Sequence, residues 1–502
     1  MDANLYSLLR GRFARVMDAP ALVAADGSGL TWRELDDLSA RLATVLGSRG
    51  VEPGDRVVVQ VEKSVAAVAL YLACLRRGAV LVPLNTAYTD AEVDHFLRDA
   101  EPRVFVGSGA RTAAAPSVEV LGTTPESPLW AEALAAEPDH AIVPRASDDL
   151  AAIVYTSGTT GVSKGAMLSH ANLASNALTL NALWGFRGDD VLLHALPIFH
   201  VHGLFVALHT AMLSGATMIF LPKFDADEAR RLLPRATVMM GVPTFYTRLL
   251  ALEAFGREDC ARMRLFVSGS APLLADTHRE FEARTGHRIL ERYGMTETGM
   301  ITSNPLEGER VAGTVGFALP DVSLRIVDDN GLPVPAGLPG VLEVAGPNVF
   351  RGYWRMPEKT AQDFRGDGWF VTGDIGSADD EGRVTLVGRA KDLIISGGLN
   401  IYPKEIEAVL DAEEGVVESA VIGVPDADFG EAVVAVVVAI SGGTGADAPT
   451  AGQLMEAVGR RLARFKHPRR IVFVSELPRN AMGKVQKNLL RERYGIGSPS
   501  LR

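Results

Sequence analysis

The strongest constraint on the fold lies at residues 150–165. An apolar run, Leu150-Ala151-Ala152-Ile153-Val154, reads as a buried strand and passes directly into Tyr155-Thr156-Ser157-Gly158-Thr159-Thr160-Gly161-Val162-Ser163-Lys164-Gly165. These eleven residues supply five hydroxyls besides the tyrosine, three glycines and one lysine. Glycines let a backbone approach closely and take positive φ. Backbone N–H groups and hydroxyls donate hydrogen bonds, and a lysine adds charge, which together suit phosphate oxygens. A flexible Ser/Thr/Gly linker has the same composition, but a linker rarely follows a core strand directly. The loop is not a Walker A, which needs a glycine five positions before Gly-Lys-Ser/Thr. A dinucleotide Gly-x-Gly-x-x-Gly is also absent, since Gly107-Ser108-Gly109 stops short of it.

The rest of the chain places this loop in an α/β context. Arg56-Val57-Val58-Val59-Gln60-Val61 reads as a strand, Lys63 to Arg77 as an apolar helix ended by Gly78, and Ala79 to Leu84 as a second strand. Thr31 with Glu34 three positions on has the pattern of a helix capping box. Strand–helix–strand order implies a parallel layer. Further strands are expected at Val191–Leu196, Ala216–Leu221 and Leu265–Ser268. Residues 320–390 change character: turns at Pro333, Pro335, Pro339-Gly340 and Asp367-Gly368 break short strands, as in a small antiparallel barrel or sheet. Strands at 417–423 and 432–440 and a surface loop at Ser441–Thr450 give the remainder its own organisation. The expectation is a large N-terminal domain over 1–390, made of α/β layers plus a β-barrel-like part. A small, mobile α+β domain over 391–502 follows.

At 502 residues the chain exceeds one ordinary core. A net charge of −11 argues against non-specific nucleic-acid binding and against an anionic membrane surface. The two cysteines, Cys74 and Cys260, are far apart, so a disulfide framework or thiolate metal site is not expected. No secretory signal is visible, and Val65–Leu75 is too short to span a bilayer. The expected compartment is the cytoplasm.

Six further segments line up with the opening loop: His200-Val201-His202-Gly203, Glu291-Arg292-Tyr293-Gly294-Met295-Thr296-Glu297, Trp369-Phe370-Val371-Thr372-Gly373-Asp374, Gly388-Arg389-Ala390-Lys391-Asp392, Ser396–Glu407 and Pro478-Arg479-Asn480-Ala481-Met482-Gly483-Lys484. Each alone reads as an ordinary turn, helix start or polar tail. Together, in this order, they resemble the acyl-adenylate-forming superfamily of acyl-CoA synthetases, luciferases and peptide-synthetase adenylation domains. Ser163 departs from the proline common in the family's loop.

The resemblance implies an acid–thiol ligase working in two halves. A carboxylate attacks the α-phosphate of ATP to give an acyl-adenylate and pyrophosphate; the thiol of coenzyme A then displaces AMP. It implies that Thr156, Ser157, Gly158, Thr159, Thr160, Gly161 and Lys164 hold the β- and γ-phosphates. Tyr293 would stack on adenine, with Glu291, Gly294, Met295 and Ala271 beside it. Thr296 would touch the α-phosphate, and Glu297 with Thr159 would bind Mg²⁺, a hard cation suited to oxygen ligands. Asp374 and Arg389 would hold the ribose, Lys391 would be the hinge, and Gly397 and Gly398 would line the path of the thiol. Lys484 would bridge the substrate carboxylate and the α-phosphate, lowering the barrier electrostatically. A lysine acetyltransferase acting on Lys484 would remove that charge and switch adenylation off.

Arg292 bears on the acid. A buried guanidinium is costly without an anionic partner, and a second substrate carboxylate would supply one in bidentate geometry. With Ser268, Ser270 and His202, this looks like the malonyl-CoA synthetases, which use malonate and often methylmalonate. An H-x-H metal site at His200 and His202 is disfavoured for want of a third ligand nearby. Two other readings stay open. One is a ligase for a short or medium monocarboxylate, with Arg292 in an ion pair to Glu291 or Glu297. The other is a nucleotide-binding protein without CoA chemistry.

Overall fold

The computed structural model describes residues 2–107, 118–156, 163–328, 330–396, 399–426, 429–440, 448–480 and 483–495. The chain divides into two compact units: residues 1–323 with 344–370, and residues 324–343 with 371–502. The boundary expected at Lys391 falls inside the second unit.

The first unit is built on two mainly parallel sheets. One has nine strands, in the order Phe317–Ala318, Gly299–Ser303, Leu290–Met295, Leu265–Ser268, Val238–Gly241, Val191–His194, Thr217–Phe220, Pro20–Val23 and Gly29–Thr31. The other has six, in the order Val118–Val120, Val104–Gly107, Arg56–Gln60, Val80–Pro83, Leu150–Thr156 and Lys164–Ser169. Near-continuous Val/Ile/Leu runs make these strands, because a parallel sheet covered by helices is buried on both faces. Val57, Val58, Leu81, Val82, Phe105 and Ile153 are all buried.

Local chemistry sets the helix boundaries. Thr31 and Glu34 form the reciprocal capping box that starts Trp32–Ser48. The apolar helix starts at Val65 rather than Lys63, because the Ser64 hydroxyl accepts from the amide of Ala67 and caps it. It ends at Gly78, whose φ of 70° takes the left-handed turn that closes a helix at low cost. Lys63 is thereby left outside the helix, buried at its mouth.

The second unit has a four-stranded sheet, in the order Ser323–Val327, Gly340–Ala345, Phe370–Ala378 and Val384–Arg389, the last pair antiparallel. Among the described residues this sheet is open, so the barrel-like expectation resolves into a sheet. A five-stranded sheet follows, centred on the antiparallel pair Val416–Asp426 and Gly430–Ala439. Strand alternation divides its side chains between two cores. Val421, Val433, Ala435 and Val437 pack with Ile406, Leu410, Leu454 and Val458 of two helices. Ile422, Val434 and Val436 pack on the other face with Leu477 and Leu490.

Both cysteines are free and buried. Among the described residues no helix is long and apolar enough to cross a membrane.

Candidate active site

The phosphate-loop candidate connects two antiparallel strands. Thr156 and Lys164 are register partners at the open end of the pair Leu150–Thr156 and Lys164–Ser169. Ser157, Gly158, Thr159, Thr160 and Gly161 lie outside the described residues, as do Gly397 and Gly398. A Walker A loop enters a helix; here the strand before the loop pairs antiparallel with the strand after it. The Lys164 ammonium donates to the Tyr353 hydroxyl at 3.2 Å, sits 4.2 Å above that ring, and is 3.7 Å from Asp363.

Glu291 to Met295 form the last parallel strand of the nine-stranded sheet, which turns back through Thr296, Glu297 and Thr298 into Gly299–Ser303. Gly294 is required for this close hairpin: a Cβ there would stand 2.1 Å from the Gly299 carbonyl oxygen. Tyr293, Thr296 and Glu297 are buried. Thr296 lines a small cavity with Leu168, Asn176, Val201, Phe205 and Asn348. The Glu297 carboxylate accepts from the Tyr353 hydroxyl at 3.1 Å, and its backbone carbonyl accepts from the Phe350 amide at 2.8 Å. Glu291 is turned elsewhere, accepting from the Leu273 amide at 3.1 Å, which anchors the loop carrying Ala271.

Arg292 is fully enclosed, at 2% exposure. Its Nε and Nη2 have no hydrogen-bond partner. Among the described residues no carboxylate stands at ion-pair distance from it, so the ion pair with Glu291 or Glu297 is not formed. Burial brings its pKa down to about 10, opposed by nearby Tyr246 and Glu291. The group still carries its charge at neutral pH. An orphaned buried cation costs several kcal/mol unless an anion completes it, on the order of a lost buried ion pair.

His202 opens a π-helical turn, His202–Ala207, a form that often marks functional positions. Its Nε2 is buried without a partner, and its Nδ1 is 3.3 Å from the Ser270 hydroxyl. Burial, then Arg292, His200 and His194, push its pKa well below the ordinary value, so the ring is neutral. Ser270 holds a left-handed φ of 72°, uncommon for a residue with a Cβ. Ser268 pairs in register with Glu291. Strand alternation therefore sends its side chain to the face opposite Arg292, and Gly269 is the residue lying against the guanidinium. The Ser268 hydroxyl is itself buried without a partner.

Two supports of this region went unread in the sequence. Lys63 is 8% exposed, and its ammonium is 2.8 Å from both Nδ1 and the carbonyl oxygen of His194. The His194 Nε2 is 3.0 Å from the Gly203 carbonyl in the π-turn. A Lys63 donor at Nδ1 leaves Nε2 protonated to donate to Gly203. Tyr353 is the other support, and its partner Lys164 is 189 residues away, so no local spacing could reveal it.

In the second unit, Asp374 and Arg389 are cross-strand partners, with Nε 3.0 Å from Oδ1. Asp374 is buried and its own amide donates to the Thr372 hydroxyl. Lys391 lies in the short helical turn Ala390–Asp392 that follows. Lys484 ends a turn closed from both sides: its amide donates to the Asn480 side chain, and its carbonyl accepts from the Asn480 amide. Ala481 and Met482 lie outside the described residues.

A single enclosed carboxylate, Glu297, with hydroxyls nearby suits Mg²⁺, which uses one or two carboxylates plus substrate phosphates rather than a protein cage. Among the described residues there is no cluster of three His, Cys, Asp or Glu fit for a metal.

Comparison with known proteins agrees with these elements. Residues 9–354 match the model of the AMP-binding enzyme family, and residues 405–484 match the AMP-binding enzyme C-terminal domain. ATP-bound MatB from Rhodopseudomonas palustris is 54% identical, with a TM-score of 0.95 and 99% of each chain covered. A mitochondrial malonate–CoA ligase of Mus musculus is 37% identical over 94% of this chain and 88% of its own. A feruloyl-CoA synthase of an Amycolatopsis species is 36% identical over 96% of this chain and 98% of its own. The two relatives are named for different acids, malonate and ferulate, and both names include CoA; the MatB structure is ATP-bound. The chain belongs to the AMP-binding enzyme family and is an AMP-forming acyl-CoA synthetase.

Proposed function

We propose that the enzyme is a malonate–CoA ligase, forming malonyl-CoA, AMP and pyrophosphate through a malonyl-adenylate. The observation that carries this reading is Arg292, a charged guanidinium enclosed with two donors unused. One malonate carboxylate would be the nucleophile toward the α-phosphate. The other would pair with Arg292, with neutral His202 and Ser270 as further donors. A monocarboxylate such as butyrate would put a methyl group against that charge and leave it unpaired, which disfavours it by the cost of a buried orphan ion. Malonate–CoA ligases among the relatives support the same choice.

In this reading, Thr156, Ser157, Thr159, Thr160 and Lys164 hold the β- and γ-phosphates, Tyr293 packs on adenine, and Thr296 meets the α-phosphate. Asp374 takes the ribose hydroxyls and Arg389 orients it. Glu297 and Thr159 hold Mg²⁺, which when bound neutralises phosphate charge. Lys484 joins the two anions that must meet in adenylation. It then gives way, by rotation about Lys391, to the loop of Gly397 and Gly398 for attack of the thiol on the acyl carbonyl.

The test is CoA-dependent AMP release from ATP with malonate and butyrate side by side, for the native enzyme and Arg292→Ala. Malonate-dominant turnover that Arg292→Ala abolishes is expected. Butyrate-dominant turnover, or malonate turnover that survives Arg292→Ala, would overturn the choice of acid and leave the ligase chemistry standing.

A further inference from the structure

Residues 350–354 join the two strand systems of the first unit. The segment runs along Lys164–Ser169: the Arg351 amide donates to the Met167 carbonyl at 2.9 Å, that of Met167 to Gly352 at 3.0 Å, and that of Trp354 to Gly165 at 2.8 Å. At its start, the Phe350 amide donates to the backbone carbonyl of Glu297 at 2.8 Å. One extended segment is thus hydrogen-bonded both to the strand leaving the phosphate loop and to the turn presenting Glu297.

Tyr353 repeats the connection with its side chain. Its ring is held edge-on to Phe350, with centroids 4.9 Å apart, and its own amide donates to the Thr360 hydroxyl at 2.9 Å. Its hydroxyl accepts from the Lys164 ammonium at 3.2 Å and donates to Glu297 Oε1 at 3.1 Å. A phenol has one proton to give, and the carboxylate takes it. The lone pairs then face the ammonium, so the order Lys164 to Tyr353 to Glu297 has one consistent polarity. Burial first, then Glu297 and Asp363, raise the phenol's pKa far above its ordinary value, so it stays a neutral donor.

We propose that Tyr353 is a positioning residue for adenylation: it fixes the Glu297 carboxylate for Mg²⁺ and holds Lys164 at the mouth of the phosphate loop. Removing the hydroxyl unties two opposite charges that must both meet the same triphosphate. The ring itself supports Lys164 from below and packs on Phe350, so Tyr353→Phe isolates the hydroxyl from the packing. The inference rests on the assignment of Lys164 and Glu297 to the nucleotide.

The experiment is calorimetric titration of the full-length enzyme with ATP, with and without Mg²⁺. No acid is present, so nothing turns over. Tyr353→Phe and Glu297→Gln are compared with the native protein. The expected result is that Tyr353→Phe weakens ATP binding roughly tenfold in Mg²⁺, where the contacts to Glu297 and Lys164 both count, and about threefold in its absence, where only the contact to Lys164 does. An unchanged affinity in Mg²⁺, or equal loss in both conditions, would overturn the role of Tyr353. If Glu297→Gln also shows no Mg²⁺-dependent loss, the assignment of Glu297 fails. If Glu297→Gln shows that loss and Tyr353→Phe does not, only the inference about Tyr353 fails.

Discussion

Gly269 lies against the guanidinium of Arg292 so closely that a Cβ there would stand 2.3 Å from its central carbon and 2.4 Å from Nη1. The strand Leu265–Ser268 ends one residue earlier, so Gly269 is where the backbone leaves the sheet and lets the arginine pass. The depth of the Arg292 pocket is therefore set by the absence of a side chain, a feature that a search for charged or catalytic residue types passes over.

Gly269→Ala should displace the guanidinium while leaving the nucleotide side untouched. A bidentate pair tolerates little displacement, and loss of one charge-assisted hydrogen bond costs about 1.5–3 kcal/mol. Malonate-dependent pyrophosphate exchange should fall roughly ten- to a hundredfold, with ATP affinity by calorimetry unchanged. Retention of full malonate activity would mean that the position of Arg292 does not matter to the acid.

Among the described residues Lys63 pairs with no carboxylate; its ammonium meets His194 twice and lies 4.2 Å above the Phe220 ring. Through His194 it steadies the Gly203 carbonyl, in a turn so crowded that a Cβ on Gly203 would stand 2.0 Å from the Pro197 carbonyl oxygen. Lys63→Met orphans the buried His194 acceptors. Unfolding in urea should show a loss of about 1–3 kcal/mol, and KM for the acid should rise more than KM for ATP. Equal rises in the two would separate the π-turn from the acid pocket.

His170 is a third buried group that the sequence did not mark. Its Nδ1 accepts from the Leu5 amide at 3.1 Å, which requires the neutral ring. Burial, then Arg145, brings its pKa down to about 4 from the ordinary 6.5. Between those values the unfolded chain holds the proton and the folded one does not, so stability falls as pH falls from 6.5 toward 4. From pH 7 to pH 5 the loss from this group should be about 2 kcal/mol. His170→Asn should flatten the urea-measured pH dependence by that amount. A slope unchanged by the substitution would show that His170 titrates normally.

How far the sequence could be read follows from the range of the interactions. Thr31 with Glu34, or Gly78 after its helix, act within one turn, and the structure has them where the residue pattern does. The start of the apolar helix moved from Lys63 to Val65 because a serine hydroxyl outweighed a long aliphatic stem as a cap. Arg292 was legible because it falls inside the motif Glu291–Glu297, whose resemblance to the family implies a position beside the acyl group. Gly269 and Tyr353 were not, because each acts on a partner brought to it by sheet topology. The opposite faces of Ser268 and Arg292 likewise follow from a register that no local pattern encodes.

Lys484 owes its placement to its turn. The Arg479 guanidinium donates to the Gly483 carbonyl and to the Glu418 carboxylate, tying the turn to the long edge strand Val416–Asp426 of the small sheet. Gly483, at φ 73°, supplies the left-handed step that a Cβ would oppose. Lys484→Ala keeps this frame, which holds Lys484 by its backbone groups, and removes the side chain beyond Cβ with its ammonium. Adenylation, followed as acid-dependent pyrophosphate exchange, should fall about a hundred- to a thousandfold, the range for one electrostatic stabiliser. Thioester formation from pre-made acyl-adenylate should stay within about threefold, since the cation is needed only while two anions approach each other. Lys484→Gln, which mimics acetylation, should behave like the alanine variant, because the charge and not the stem does the work. Equal loss of both half-reactions would contradict the division of labour, and full activity in a protein acetylated at Lys484 would remove the basis for regulation there.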